Sequence, residues 1–212
     1  MQTISCPSCG ANVNFVSKAS IFAVCSYCKS SLVRQNMNLE VVGKISELRD
    51  DLTPIQIGTS GMFDGKKFEV IGRMRIGWAD GYWNEWYSLY DGSKESWLVE
   101  AQGFLALCFP YDETPMPTKG VVSPGRNVHF GKHGYFQVED MREVECIYSE
   151  GELPVNGPQG RISVSVDLTE EGGSDMATIE YADNETRVFV GKYKDFDEFQ
   201  FKNLREIDGW KL

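Results

Sequence analysis

Trp83-Asn-Glu-Trp-Tyr-Ser-Leu-Tyr90, then Asp91-Gly-Ser-Lys94, then Glu95-Ser-Trp-Leu-Val-Glu-Ala101, sets the fold class of this chain. Two runs rich in aromatic and aliphatic residues flank an Asp-Gly pair, the signature of a β-hairpin. Strand alternation puts Trp83, Glu85 and Tyr87 on one face and Asn84, Trp86 and Ser88 on the other. Both faces carry an aromatic side chain, so one of them is exposed or covered by another segment.

Outward from this hairpin the chain continues in strands. Phe68–Gly77 alternates apolar and polar residues, and further strands are expected at Phe104–Phe109, Tyr135–Val138, Glu143–Ser149, Ile162–Leu168, Ala177–Ala182 and Arg187–Tyr193. Asp112–Gly125, rich in Pro and Thr, breaks this series into halves of about 58–111 and 121–200. The halves echo one another: Met62–Val70 and Val128–Val138 each read as apolar strand, Gly-Lys turn, then aromatic-x-Val. Tyr90–Leu98 and Tyr181–Phe189 repeat a strand, polar turn, strand pattern. The expected fold is mainly β, a duplicated antiparallel barrel or sandwich over 58–212 in which each copy buries a face the other cannot bury alone. Asp195, followed three residues later by Glu198, predicts a short capped helix near the end.

The N-terminal residues follow a different logic. Cys6-Pro-Ser-Cys9 and Cys25-Ser-Tyr-Cys28 are two C-x-x-C pairs fifteen residues apart, the spacing of a four-cysteine zinc ribbon. Four thiolates leave no open coordination position, so the expected cofactor is one structural Zn2+ per chain held by Cys6, Cys9, Cys25 and Cys28. Gly10 directly follows the second ligand and adopts positive φ easily; Lys29 holds the matching position in the second knuckle and must strain or turn differently. The apolar runs of residues 1–36 suit three small strands. Ile45, Leu48 and Leu52 predict a short helix, stopped before Pro54, in a connector over 37–57.

Charge divides unevenly. Lys18, Lys29 and Arg34 give residues 1–36 a balance of +3, leaving −13 on the rest of a chain whose net charge is −10. The acidic domain disfavours phosphate, so nucleic acid is not the expected partner, and docking on a protein partner is. No apolar run reaches the length of a membrane span, and the first 35 residues lack a signal-peptide core, which predicts a cytoplasmic protein. Cys108 and Cys146, each alone in an apolar run, read as buried free thiols.

The search for chemistry gives candidates without a known catalytic motif. Trp83, Glu85, Trp86, Tyr87 and Trp97 are the expected ligand or partner contacts if the aromatic hairpin walls a pocket; core packing is the competing reading. Glu85, Glu95 and Glu100 lie near the same hairpin and could supply acid–base chemistry, or simply face water. His129 and His133 flank a Gly-Lys turn and read as turn histidines. Asp167–Asp175 is an acidic run without EF-hand spacing and reads as a solvated hairpin loop.

Several segments resemble a bacterial family known as domain of unknown function 4178: Ile-Gly-x-x-Gly-x-Phe-x-Gly-x-x-Phe-x-Val-Ile-Gly-Arg over Ile57–Arg73, Trp83-Asn-Glu-Trp-Tyr-x-Leu, the Trp97-Leu pair and Glu150-Gly-Glu-Leu-Pro154. The resemblance covers most of residues 54–193. It implies a domain often preceded by a four-cysteine ribbon, with no established enzymatic activity. It also implies bacterial settings with membrane-remodelling proteins of the phage-shock type and polyamine-synthesis enzymes. Three functions follow as expectations. The first is a non-enzymatic binding or adaptor protein, linked through that resemblance to membrane-stress systems. The second is an enzyme with a pocket between the β-halves that uses Glu85 or Glu100. The third is a nucleic-acid-binding ribbon protein.

Overall fold

The computed structural model describes residues 1–35, 38–45, 52–182 and 185–207. Its backbone is almost entirely antiparallel β-structure. Strands β1 (Gln2–Ser5), β2 (Asn12–Phe15), β3 (Phe22–Val24), β4 (Ser30–Gln35) and β5 (Asn38–Lys44) form the cysteine module. Residues 1–35 thus hold four strands where three were expected, and a fifth lies where the connector was expected to begin. The expected helix over Ile45–Leu52 falls largely on residues 46–51, outside the described residues.

Two five-strand runs follow with the same topology. The first is β6 (Ser60–Phe63), β7 (Lys66–Trp78), β8 (Gly81–Tyr90), β9 (Lys94–Ala101) and β10 (Phe104–Pro110). The second is β11 (Asn127–His129), β12 (Tyr135–Leu153), β13 (Ile162–Thr169), β14 (Asp175–Ala182) and β15 (Glu185–Lys194). Each run is a short hairpin leading into a four-stranded meander. β10 pairs with β15 and β7 with β12, so the two meanders close into a ring of eight antiparallel strands. The two expected strands at Tyr135–Val138 and Glu143–Ser149 are one nineteen-residue strand, bent by bulges at Val138/Asp140 and Cys146/Tyr148. That length lets its first part pair with β13 and its second part with β7.

Closure at the β7–β12 seam depends on glycine. Gly72 and Gly151 are register partners, and a Cβ on Gly72 would stand 1.8 Å from the Glu152 carbonyl oxygen. Tight turns join the strands: Asp64-Gly65, Asp91-Gly92 and Gln102-Gly103 all take positive φ, which suits the right-handed twist of the hairpins.

The barrel is covered on its outside. Trp86, Leu98, Leu105 and Leu107 point outward and are buried beneath Ile55, Phe63, Phe68 and Phe199. Phe199 sits on a single 3-10 turn, Phe196–Phe199, whose entry is fixed by the Asp195 N–H donating to the Glu198 carboxylate at 2.8 Å. Around the second half, Val166, Leu168, Ile179, Val188 and Val190 point outward beneath Val122 and Phe130. The Pro-rich break between the halves therefore serves as a covering arm. Packing of this kind supplies most of the hydrophobic stabilisation, at about 25 cal/mol per Å2 of apolar surface.

The cysteine module closes one end of the ring. β3 continues the sheet by pairing with the end of β12, Phe22 opposite Leu153 and Ala23 opposite Glu152. Phe22, Ile45, Tyr87, Leu89, Trp97 and Leu153 form one apolar cluster across the junction. The buried Glu152 carboxylate accepts the Val16 and Ser17 N–H groups at 2.7 and 3.1 Å, and Ser17 Oγ lies 3.0 Å from the Tyr87 hydroxyl.

Candidate functional site

Two places on this scaffold gather chemistry: the cysteine quartet and the interior of the barrel. In each knuckle a backbone turn presents the sulfurs. The Gly10 N–H donates to the Cys6 carbonyl at 2.8 Å, and the Lys29 N–H donates to the Cys25 carbonyl at 2.9 Å. Lys29 takes φ +60° where Gly10 takes +78°, so the second knuckle uses the same turn and bears the strain of a side chain there. The four Sγ atoms all lie within 4.8 Å of one another, with Cys6–Cys28 at 3.7 Å and Cys9–Cys25 at 3.8 Å. A tetrahedron with metal–sulfur bonds of about 2.3 Å has edges of about 3.8 Å, so the quartet fits a four-coordinate metal ion. Hydrogen bonds with the side chain and backbone of Ser30 lower the Cys28 thiol, while Cys9, against the pull of the Ala11 backbone, is raised by burial and the neighbouring sulfurs, as expected of thiols crowded together.

The barrel interior is lined by all eight strands of the ring. Its deeper part, a cavity of about 30 Å3, is framed by Glu85, Trp97, Cys108, Glu180, Arg187 and Phe189. Above it, away from the cysteine module, a mouth cavity of about 150 Å3 is framed by Trp78, Trp83, Glu85, Arg142, Asp167 and Tyr193, among others. Residues facing this lumen, such as Trp83, Glu85, Val99, Glu180 and Arg187, are half-buried, whereas the outward Trp86, Leu98, Leu107 and Ile179 are completely buried. The outer wall is dry, while the interior is mixed: Met74, Ile76, Trp97, Cys108 and Val144 are buried, and the charged side chains among them are half-buried.

Charges in the lumen are partly paired. Arg187 Nη2 lies 2.7 Å from Glu180 Oε2, and Arg142 pairs with Asp140 while stacking over Trp78 at 4.8 Å. Glu85 accepts one hydrogen bond, from Trp83 Nε1 at 2.9 Å. Burial, then the Glu180 charge, push its carboxyl up to about 7, against the opposing pull of Trp83 and Arg187. Asp167 stands at the open mouth; the surrounding wall, then the Asp140 charge, push it up to about 6. Tyr193 is raised to about 12 by burial.

The hairpin candidates therefore divide. Trp83 and Glu85 line both cavities and Trp97 the deeper one, while Tyr87 packs against the cysteine module. Trp86 faces outward, buried under Arg73 at 4.4 Å and the covering arm, so it presents nothing to a partner. Glu100 also faces outward, accepting hydrogen bonds from Asn84 Nδ2 at 2.9 Å and Trp86 Nε1 at 3.0 Å; the pairing of Glu100 with the lumen is corrected. Glu95 stands at the closed end, accepting from Trp97 Nε1 at 3.2 Å. His129 packs against Tyr135 with the rings tilted and His133 meets Tyr111 edge-on, so each histidine has its own aromatic neighbour. Cys108 and Cys146 are buried, and burial raises both thiols.

The sequence reading missed Asp167, Glu180, Arg187 and Arg142 as lumen residues. Asp167 falls within the expected strand Ile162–Leu168 and not in the solvated loop: it lies on β13, whose alternation Ser163, Ser165, Asp167 against Val164, Val166, Leu168 marks one polar face. That polar face turns inward.

Residues 56–196 match the family model described as Domain of unknown function (DUF4178). The chain belongs to this family. The match spans the whole ring of eight strands and so includes the residues that line the lumen, with the cysteine quartet outside it. No curated protein and no solved structure matches the chain. No helix among the described residues is long and apolar enough to cross a membrane.

Proposed function

We propose that this chain is a non-enzymatic binding protein: a β-barrel whose lumen takes a small ligand at its open mouth and whose other end is closed by a zinc-folded cysteine module. The mouth cavity, lined by aromatic and charged side chains, carries this reading. A barrel that serves only as structure fills its interior with side chains, whereas a ligand-binding barrel keeps a cavity at its mouth. Here two covering arms bury the outside, and half-buried charged and aromatic side chains face an accessible cavity. A volume of about 150 Å3 suits a ligand of benzene-like size.

Zinc is the proposed metal because four thiolates at tetrahedral edge distances form a closed structural site. The six free thiols fit a reducing compartment such as the cytoplasm. An adaptor role follows if ligand occupancy alters a protein partner's access to the mouth; the membrane-stress link has the family resemblance as its support. Metal analysis of the purified chain tests the cofactor, with one zinc per chain expected. Trp83 lines the mouth, so indole NMR shifts confined to the lumen tryptophans on ligand addition test the binding reading. Ligands that shift surface residues alone would contradict it.

Glu85 favours a second reading. A carboxyl group held near 7 in a walled cavity can give or take a proton at neutral pH, as a catalytic acid or base must. Recovery of the bound ligand chemically unchanged after prolonged incubation goes against catalysis.

A further inference from the structure

We propose that the mouth cavity selects a small organic cation, an ammonium group on a short apolar stem, with Glu85 and Asp167 as its counter-charges. This deepens the reading of the lumen as a ligand site and rests on it. Of the charged side chains around the lumen, Arg187 forms an ion pair with Glu180, which also faces Arg161, and Arg142 pairs with Asp140. The Nε and Nη2 of Arg187 make no hydrogen bond among the described residues. Glu85 and Asp167 are left over, and both line the mouth cavity. Glu85 has an indole N–H as its hydrogen-bond donor, and Asp167 accepts no hydrogen bond among the described residues. Two carboxylates that form no ion pair among the described residues, Glu85 half-buried and Asp167 at the rim, give the mouth a negative potential that Arg142 and Arg187 offset only in part.

The remaining lining supplies the other half of the recognition. Trp83 lies 5.4 Å from Trp78 between ring centroids, and the rings of Trp83 and Tyr193 border the cavity. Aromatic faces attract cations, and more strongly where water is excluded. Val99, Ala101 and Met176 border the same space and suit an apolar stem. A divalent metal ion fits less well: among the described residues, the lumen does not gather three ligand atoms close enough to hold one. An anionic ligand would meet two uncompensated carboxylates. The elevated proton affinity of both groups agrees with this geometry, because a bound cation relieves the cost of their ionisation.

The test titrates the full metal-loaded chain at pH 8 with three probes of matched size: butylammonium, butanol and butyrate. Binding is followed through the indole resonances of Trp83 and Trp78, with a competition arm at high salt. Butylammonium should shift the Trp83 indole saturably, and at the same concentrations butyrate should not. Glu85→Gln and Asp167→Asn should each weaken butylammonium roughly tenfold while leaving the fold intact. Equal or tighter binding of butyrate or butanol at Trp83 would overturn the cation preference and leave the lumenal ligand site standing. Unchanged butylammonium affinity in both variants would overturn the role of the two carboxylates. If none of the probes perturbs the lumen tryptophans, both the cation preference and the lumenal site fall.

Discussion

The two ends of the barrel are built from the same strands and behave as opposites. On β8, Tyr87 points inward at the closed end, fully buried against Phe22, Leu89 and Trp97, with its hydroxyl pushed up to about 12, first by burial. Two and four residues earlier, Glu85 and Trp83 point inward on the same face and border an accessible cavity. Side-chain direction is identical, so the alternation of the strand does not distinguish them. What differs is the cover. The cysteine module inserts Phe22, Val24, Val33 and Ile45 at one end, and at the other end there is no equivalent insertion among the described residues. A barrel becomes a vessel when one end is stoppered, and here the stopper carries the cysteine quartet.

This contrast can be broken most severely through the metal. A strong chelator, or Cys25→Ser, should unfold the cysteine module, removing a contribution on the order of 10 kcal/mol to its folding. Hydrogen exchange should then accelerate at Phe22, Tyr87 and Leu153 while β13 and β14 retain more of their protection. Exchange that stays slow at the closed end without metal would refute the stopper role.

A milder attack removes one side chain of the stopper. Phe22→Ala leaves a cavity between Leu153, Tyr87 and the cysteine module, and should cost about 3–5 kcal/mol in denaturant unfolding. An outcome below about 1 kcal/mol would mean that this junction is loosely packed.

The mouth should respond in the opposite direction. The Glu85 carboxyl ordinarily titrates at 4.5 and is raised to about 7 in the folded chain, facing Glu180, Asp167 and Arg187. The folded state therefore holds this proton more tightly than the unfolded chain does. Its contribution to stability is complete below pH 4.5 and is lost as pH rises towards 7, after which it is constant. Glu85→Gln should thus stabilise the protein by about 1–2 kcal/mol at pH 8, with the gain vanishing at pH 4.5. Comparing unfolding midpoints of the two proteins across this range measures it; a gain that is independent of pH would contradict the assignment.

The smallest expected effect is at the junction again. Ser17→Ala removes the contact with the Tyr87 hydroxyl at 3.0 Å and should cost about 1 kcal/mol, without altering metal content.

Local patterns made much of this legible. The alternation of Trp83–Tyr90 separated two faces correctly, and the Asp-Gly turn located the hairpin. The register could have excluded Glu100 as well: Tyr90 opposite Lys94 sets Glu100 opposite Asn84, on the outward face. Which of two aromatic faces is the interior was not legible, because Trp86 is buried by Phe199 and its neighbours, more than a hundred residues away. Likewise, Glu180, Arg187 and Asp167 reach Glu85 through ring closure between β10 and β15 and between β7 and β12, pairings that local sequence does not encode.

Residue order alone decided the strands, the turns and the cysteine quartet, because each depends on neighbours within a few positions: alternation, positive φ, and two C-x-x-C knuckles that each present two sulfurs from one turn. The lumen, its inward charges and its stoppered end came from assembly. Burial and the matching of charges are set by groups distant in the chain, and they exist only once the ring has closed and the cysteine module has docked.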